Sequence, residues 1–248
     1  MYWLKCWRDM RSSFFTFFGT LLISYLFYCA VVLDWFGWVE GRALGAQPAD
    51  WHYTAVFTVK LVLFLMGLAS FLFATEGLPR DFERKTMPYL LTRPRSRRYF
   101  LAVNWTTAVL LLIVLLAGGL LLEALLPAPL TRPTSPFRWI RWAQMSVVVT
   151  IPAIVIYSFT FCLCILLRSA RNGLRFAFGI TLMYSLLTSY LAQFGIELPN
   201  LVSFAASALQ ALAAPGAPQF PYPGAAGWLA FAGGLSLLAY WSLRRYET

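Results

Sequence analysis

Histidine is nearly missing from this chain: His52 is the only one in 248 residues. Zinc sites of the HExxH type and paired-histidine haem sites need more imidazole than that, so both are excluded. Lysine is almost as scarce, and Lys5, Lys60 and Lys85 are preceded by Leu4, Val59 and Arg84. A nucleotide-hydrolysing P-loop places its Lys directly after Gly so that the amine reaches the β- and γ-phosphates, and no lysine here has that neighbour. An intramembrane serine nucleophile fares no better, because Gly234-Leu235-Ser236-Leu237 lacks both the GxSG pattern and a histidine partner. No catalytic constellation is present, so the chain is not expected to be an enzyme or to hold a metal or cofactor of its own. The four cysteines form no disulfide framework, since Cys29, Cys162 and Cys164 lie within apolar runs and Cys6 near the start.

What is present is hydrophobic length. Hydrophobic residues make up 60% of the chain and charged ones 12%, about half the charged share of a soluble domain. Mean hydropathy is +0.66. The apolar residues collect into six runs, 13–33, 54–75, 100–122, 142–167, 176–194 and 225–243. Each is close to the length that crosses hydrocarbon as a helix. The fold class expected is therefore an all-α integral membrane protein, one domain over 1–248 with six transmembrane helices. Ahead of them, Trp3, Cys6, Trp7 and Met10 oppose Lys5, Arg8, Asp9 and Ser12, which predicts an amphipathic interfacial helix over 1–12. The run 13–33 is long for the apolar region of a leader and is read as a span. Pro152 predicts a kink in the fourth run that frees the carbonyl of Val148. Within the segment 195–227, the apolar stretch 201–214 is too short to span and predicts a short outer-side re-entrant or interfacial helix.

Charge sets the sidedness. The segment 1–12, the loop 76–99, the turn 168–175 and the tail hold three, seven, three and two Lys or Arg, against Arg42, Arg132, Arg138 and Arg141 in the opposite loops. Both termini are thus expected to be cytoplasmic. The net charge of +10 gathers beside the spans, which argues against a nucleic-acid partner and for membrane lipids.

The loop EGLPRDFERKTMPYLLTRPRSRRY, residues 76–99, is too long and too patterned for a simple turn. Pro79 can open a short helix that places Phe82, Thr86, Tyr89, Leu90 and Leu91 on one face. Pro88 limits or kinks that helix and Pro94 ends the segment. A helix with an apolar face at the membrane surface suits docking to another protein, and a positive-inside anchor is the plainer alternative. In the first run Thr16, Thr20 and Ser24 recur every four residues beside Gly19, a pattern of helix–helix contact. In the fifth, Thr181, Tyr184, Ser185 and Thr188 share a face continued by Ser189 and Gln193, as glue between helices or as the lining of a pathway. Lys60 either snorkels or pairs with Glu123 or Asp34, or it holds an anionic head group. Arg132, Arg138 and Arg141 with Trp139 and Trp142 are interfacial anchors or hold lipid phosphate, and His52 reads as a solvated loop residue.

In order and spacing these features resemble the membrane subunits of type-two ATP-binding-cassette (ABC) exporters. That family carries, between its second and third spans, an acidic–basic pair, Gly-Thr, a Leu pair and then Pro-x-Ser-Arg. The matching residues are Glu83 and Arg84, Thr86, Leu90 and Leu91, then Pro94, Ser96 and Arg97. Lys85 stands where Gly is usual, and Pro88 where an acidic residue is common. The amphipathic start, Arg168–Ser169 and the Arg244–Arg245 ending also resemble the family. The resemblance implies a permease in the bacterial plasma membrane that exports a substrate. ATP is hydrolysed with Mg in a separate ATPase subunit, two copies of which dock on two permease chains, identical or different. The few intramembrane charges favour a lipid-like or hydrophobic substrate. Docking would fall to a cytoplasmic coupling helix bearing Phe82, Glu83, Arg84, Thr86, Met87, Tyr89, Leu90, Leu91 and Arg93. In such permeases the first and fifth spans meet across the dimer and the second and fifth line the pathway, which implicates Thr16, Thr20, Ser24, Lys60, Thr181, Tyr184, Ser185 and Thr188. A structural or assembly subunit that transports nothing is the alternative. The two readings of Lys60 separate in a transport assay of Lys60→Met: loss of a head-group contact lowers the rate roughly tenfold or more, whereas loss of a snorkelling amine leaves it unchanged.

Overall fold

Inside hydrocarbon an apolar run must close its N–H groups onto its own carbonyls, which makes helix the default for a single segment. The computed structural model follows that constraint, and it describes residues 2–31, 63–88, 96–125, 139–196, 198–213 and 220–245. Its helices are α1 (Tyr2–Val31), α2 (63–73), α3 (Leu78–Glu83), α4 (Arg97–Leu125), α5 (Trp139–Leu166), α6 (Ala170–Ala192), α7 (Leu201–Ala213) and α8 (Tyr222–Arg244). No strand occurs among the described residues. Among the described residues four stretches are long and apolar enough to cross a membrane: Arg97–Gly118, Val147–Leu166, Ala170–Ala192 and Tyr222–Arg244. They correspond to the third to sixth runs. The first run is present in α1 as far as 31, and the second in α2; residues 32–33 and 54–62, with Lys60, lie outside the described residues.

The bundle is built around α5, which packs against α4, α6, α7 and α8, while α1 lies along α4. The spanning stretch of α5 is 72% buried against 11% for that of α6 and 17% for that of α8. Thus α5 is the core helix and α6 the outermost, with Phe176, Ile180, Met183, Leu187 and Tyr190 uncovered. Tyr157 and Phe161 of α5, Phe73 of α2, Met10 of α1 and Leu112 of α4 are among the large side chains sealed inside. Pro152 stands within α5 and lines a 310 Å³ cavity together with Leu63, Gly67 and Phe71 of α2 and Phe178 of α6.

Two expectations are corrected. The break expected near residue 12 is absent, because nothing there stops a helix: the buried stripe Tyr2, Cys6, Met10, Phe14, Phe17 and Leu21 runs unbroken through the boundary. The amphipathic segment is therefore the first third of one 30-residue helix. The basic turn 168–175 shrinks to three residues, since Ser169 caps α6 by accepting from the Asn172 N–H at 3.2 Å, so Arg171 and Arg175 belong to the first turns of α6. The stretch expected as a short non-spanning helix, 201–214, is α7.

Helix ends repeat one device. At the end of α5 the Arg168 N–H bonds Ile165 O (3.3 Å) and the Ser169 N–H bonds Cys164 O (3.2 Å), the Schellman pattern that needs a left-handed residue between them. Arg168 supplies it at φ 52°. At the end of α3 Lys85 does the same at φ 55°, and at the end of α6 Gly195 does so at φ 75°. The α5–α6 contact is close at Gly173, where a Cβ would stand 2.5 Å from the Cα of Cys164. Gly173→Ala should cost about 1–3 kcal/mol by forcing the helices apart. Gly179→Ala, which meets nothing within 4 Å, should be neutral or gain up to about 1 kcal/mol of helix propensity. Thermal unfolding of the purified variants in detergent checks both.

Candidate functional site

The site is the end of the bundle where the loop 76–99 lies. Here α1, α4 and α6 begin and α2, α5 and α8 end, as the side-chain contacts between their termini require. Pro79 stands in the first turn of α3, where its missing N–H costs nothing. Gly77 precedes it at φ 67°, and a Cβ there would lie 1.9 Å from Oδ1 of Asn104. Only glycine permits the approach. The approach matters because Asn104 of α4, fully buried, accepts the Leu78 N–H at 3.0 Å and a weak bond from the Cys6 thiol at 3.6 Å. Its amide donates to the Tyr157 hydroxyl of α5 at 3.2 Å. One side chain thereby joins α1, α3, α4 and α5.

Asp81 of α3 is 2% exposed, and Lys5 Nζ donates to both of its carboxylate oxygens. Thr86 donates to Asp81 Oδ1 at 3.1 Å, and Lys5 is also 3.6 Å from Asp9. A buried carboxylate without such partners would pay a large desolvation penalty. Glu83, two residues on, faces α6. Its Oε1 accepts the Ser169 hydroxyl at 3.0 Å and the Arg171 N–H at 2.7 Å. It therefore acts as a cap supplied from another segment, at the positive end of the helix dipole. The Arg171 N–H, helped by the Ser169 hydroxyl and the Arg171 guanidinium, lowers the Glu83 pKa from its ordinary value. A lowered folded-state pKa means that this contact is complete above the ordinary carboxylate range and is lost as the pH falls through the folded-state value.

The far end of the loop is anchored too. Arg97 Nη1 donates to the carbonyls of Leu243 and Arg244 at 3.0 and 2.9 Å, placing a cation on the negative end of α8. Arg98 Nε donates to the Tyr240 hydroxyl at 2.8 Å, and the Ser96 hydroxyl accepts the Tyr99 N–H at 3.3 Å. The loop is thus bonded to α1, α4, α6 and α8 directly and to α5 through Asn104.

Of the residues expected to dock a partner, Arg84 is exposed and Phe82 and Thr86 are half-buried, while Met87 is buried in the core. Glu83 is exposed but bonded to α6. Tyr89, Leu90, Leu91 and Arg93 lie outside the described residues, as does Lys60. Thr16 and Thr20 are exposed and their hydroxyls bond the carbonyls one turn back, Ser12 and Thr16, while Ser24 is half-buried. The stripe on α6 is spent largely within the chain. The Tyr184 hydroxyl donates to Pro199 O and the Asn200 amide to Thr188 Oγ1, which ties the approach to α7 onto α6; Thr181 and Ser185 are half-buried. The residues that sequence reasoning passed over are Asp81, Asn104, Gly77 and Tyr157. Asn104 carried a signal, a carboxamide inside an apolar run, where polar groups are costly unless bonded.

Comparison with protein families matches residues 12–222 to the model of the ABC-2 family transporter protein. The chain belongs to that family. A comparison with curated proteins found no match. An ABC-2 family member is the membrane permease subunit of an ABC transporter and associates with an ABC ATPase subunit; the helices long enough to span agree with a membrane location.

Two stability predictions follow from the geometry of this ABC-2 chain. Asp81→Ala should destabilise by about 1–3 kcal/mol, because Lys5 loses its bidentate partner and keeps only Asp9, whereas Lys5→Met with Asp81→Leu should fall within about 1–2 kcal/mol of the parent. Lys85→Gly should gain up to about 1 kcal/mol, because glycine takes the left-handed conformation without the Cβ conflict. Both are read from the midpoint of thermal unfolding in detergent.

Proposed function

We propose that this permease exports a lipid-like or hydrophobic substrate across the bacterial plasma membrane, driven by ATP hydrolysis in a separate ABC ATPase that docks on the loop 76–99. The single observation that carries the reading is the placement of α3 and the turn after it. Arg84, Lys85 and Pro88 are exposed there, and the two cations have no side-chain partner among the described residues. Their neighbours Leu78, Asp81 and Glu83 are bonded inward to the long helices. A push on this outward face therefore reaches the spans, which is what a coupling element requires.

Two further features support the reading. The cavity of about 310 Å³ beside Pro152 and a second of about 380 Å³ beside Phe17, Leu72 and Leu174 share Leu68, Phe71 and Phe178. Their walls are almost wholly apolar apart from Arg175, the chemistry that suits acyl or other hydrophobic cargo. The uncovered apolar face of α6 suits lipid or a second permease chain. ATP and Mg act in the partner, and this chain contributes binding and conformational change with no chemical step of its own. The alternation of helix ends at the loop side fits six crossings with both termini cytoplasmic.

The test is co-expression of this chain, tagged, with a candidate ABC ATPase subunit from the same genome, followed by purification in lipid. The parent should carry the ATPase with it, and Arg84→Glu with Lys85→Glu should reduce the recovered ATPase at least roughly tenfold, as loss of two charged contacts implies. If no ATPase follows the parent chain, the structural-subunit alternative replaces this reading.

A further inference from the structure

Asp81 and Glu83 lie two residues apart on a six-residue helix, hence about 200° apart around its axis. They point to different parts of the bundle. Asp81 holds the Lys5 ammonium of α1 with both oxygens while Thr86 closes its remaining side. Glu83 holds the first turn of α6 through the Ser169 hydroxyl and the Arg171 N–H. Asp81 has no bonding capacity turned outward, while Glu83, exposed at the surface, spends Oε1 on α6, and the cations Arg84 and Lys85 occupy the outward side. Charged hydrogen bonds of this kind keep their geometry within a few tenths of an ångström, whereas apolar contacts slide. Elsewhere α3 meets the bundle through apolar packing of Leu78 and Phe82, continued by Met87 after the turn, and through the Asn104 bond to Leu78.

We propose that Asp81 and Glu83 are positioning residues, not ATPase contacts, that transmit movement of α3 to α1 and to α6 respectively. The proposal rests on the docking reading above and adds to it the route by which a push leaves the loop. Both helices reached expose apolar side chains, Phe15 and Ile23 on α1 and most of α6, as α4 and α8 also do. A displacement of α3 would thus re-aim the surfaces available to lipid or to a second permease chain, while α5 stays at the centre of the bundle.

Hydrogen exchange measured by mass spectrometry on the permease–ATPase complex in lipid nanodiscs, without nucleotide and after trapping with ATP and vanadate, tests the route. In the parent, trapping should change exchange in peptides covering 78–88, 2–12 and 170–180. Glu83→Ala, at an exposed position and with its folding checked by thermal unfolding beside the parent, should keep the ATPase bound and keep the change at 78–88. It should lose at least half of the change at 170–180 and leave that at 2–12 intact. Lys5→Met with Asp81→Leu, the pair replaced together because Asp81 alone is buried, should do the converse, and the exchanged pair Lys5→Asp with Asp81→Lys should restore the response at 2–12. An undiminished response at 170–180 in Glu83→Ala and at 2–12 in the apolar pair overturns the proposal while leaving docking intact. Loss of ATPase from Glu83→Ala returns that residue to the docking surface and overturns its role here. A parent complex with no ATPase bound removes the docking reading, and this one with it.

Discussion

The side-chain carbonyl of Asn104, accepting the Leu78 N–H inside the bundle, is the contact on which the architecture of the loop end depends. It solves a problem that any chain entering a packed helical end must face, a backbone donor at the start of a short helix with no carbonyl in reach. The solution dictates its surroundings. Gly77 must lack a side chain for the carbonyl to fit, Pro79 must follow to start the helix, and Tyr157 must supply an acceptor for the carboxamide N–H bonds. With α3 held at this height, Asp81 falls into the bundle beside Lys5, and Glu83 falls at the open end of α6.

The charges at this end obey a common rule. An anion, Glu83, stands at the positive end of α6, and a cation, Arg97, stands at the negative end of α8. Each satisfies backbone groups that the helix cannot bond for itself. The chain's strongly basic balance conceals this arrangement, because the two carboxylates that matter are outnumbered in sequence by the arginines and lysines around them. A loop that composition alone makes a membrane-surface anchor is, in three dimensions, the piece that closes the ends of five helices. Membership in the ABC-2 family makes this chain the membrane subunit of a transporter that associates with a separate ABC ATPase subunit.

Much of the fold was legible because it follows from one-dimensional rules. Six apolar runs of near-spanning length predict helices wherever they fall in the described residues, Pro79 marks a helix start, and the apolar stretch 201–214 becomes α7 as far as 213. The errors came where a rule was applied to a boundary with no physical breaker. A change of composition near residue 12 suggested two elements, yet helix continuity depends on backbone hydrogen bonds and a continuous buried stripe, both of which pass through it. The basic residues after the fourth span suggested a turn, yet an N-cap at Ser169 makes most of them helical. Lys85, noted as a departure from glycine, proved to occupy the left-handed position that the family's glycine would fill freely.

The candidate site was half legible for a related reason. The loop's position between two spans and its charge are sequence properties, and they pick out the end of the bundle where α3 lies. Which side chains face that surface is decided by partners distant in sequence: Lys5 is 76 residues from Asp81, Arg171 88 from Glu83 and Leu243 146 from Arg97. By itself the sequence determined that this is a helical membrane protein with a basic loop at one end, because hydropathy and charge act on each segment wherever it lies. Only the tertiary structure decided that Glu83 caps α6, that Asp81 is buried against α1 and that Tyr184 and Thr188 serve their own chain, because a hydrogen bond requires two groups within about 3 Å and the packing of the helices alone brings them there.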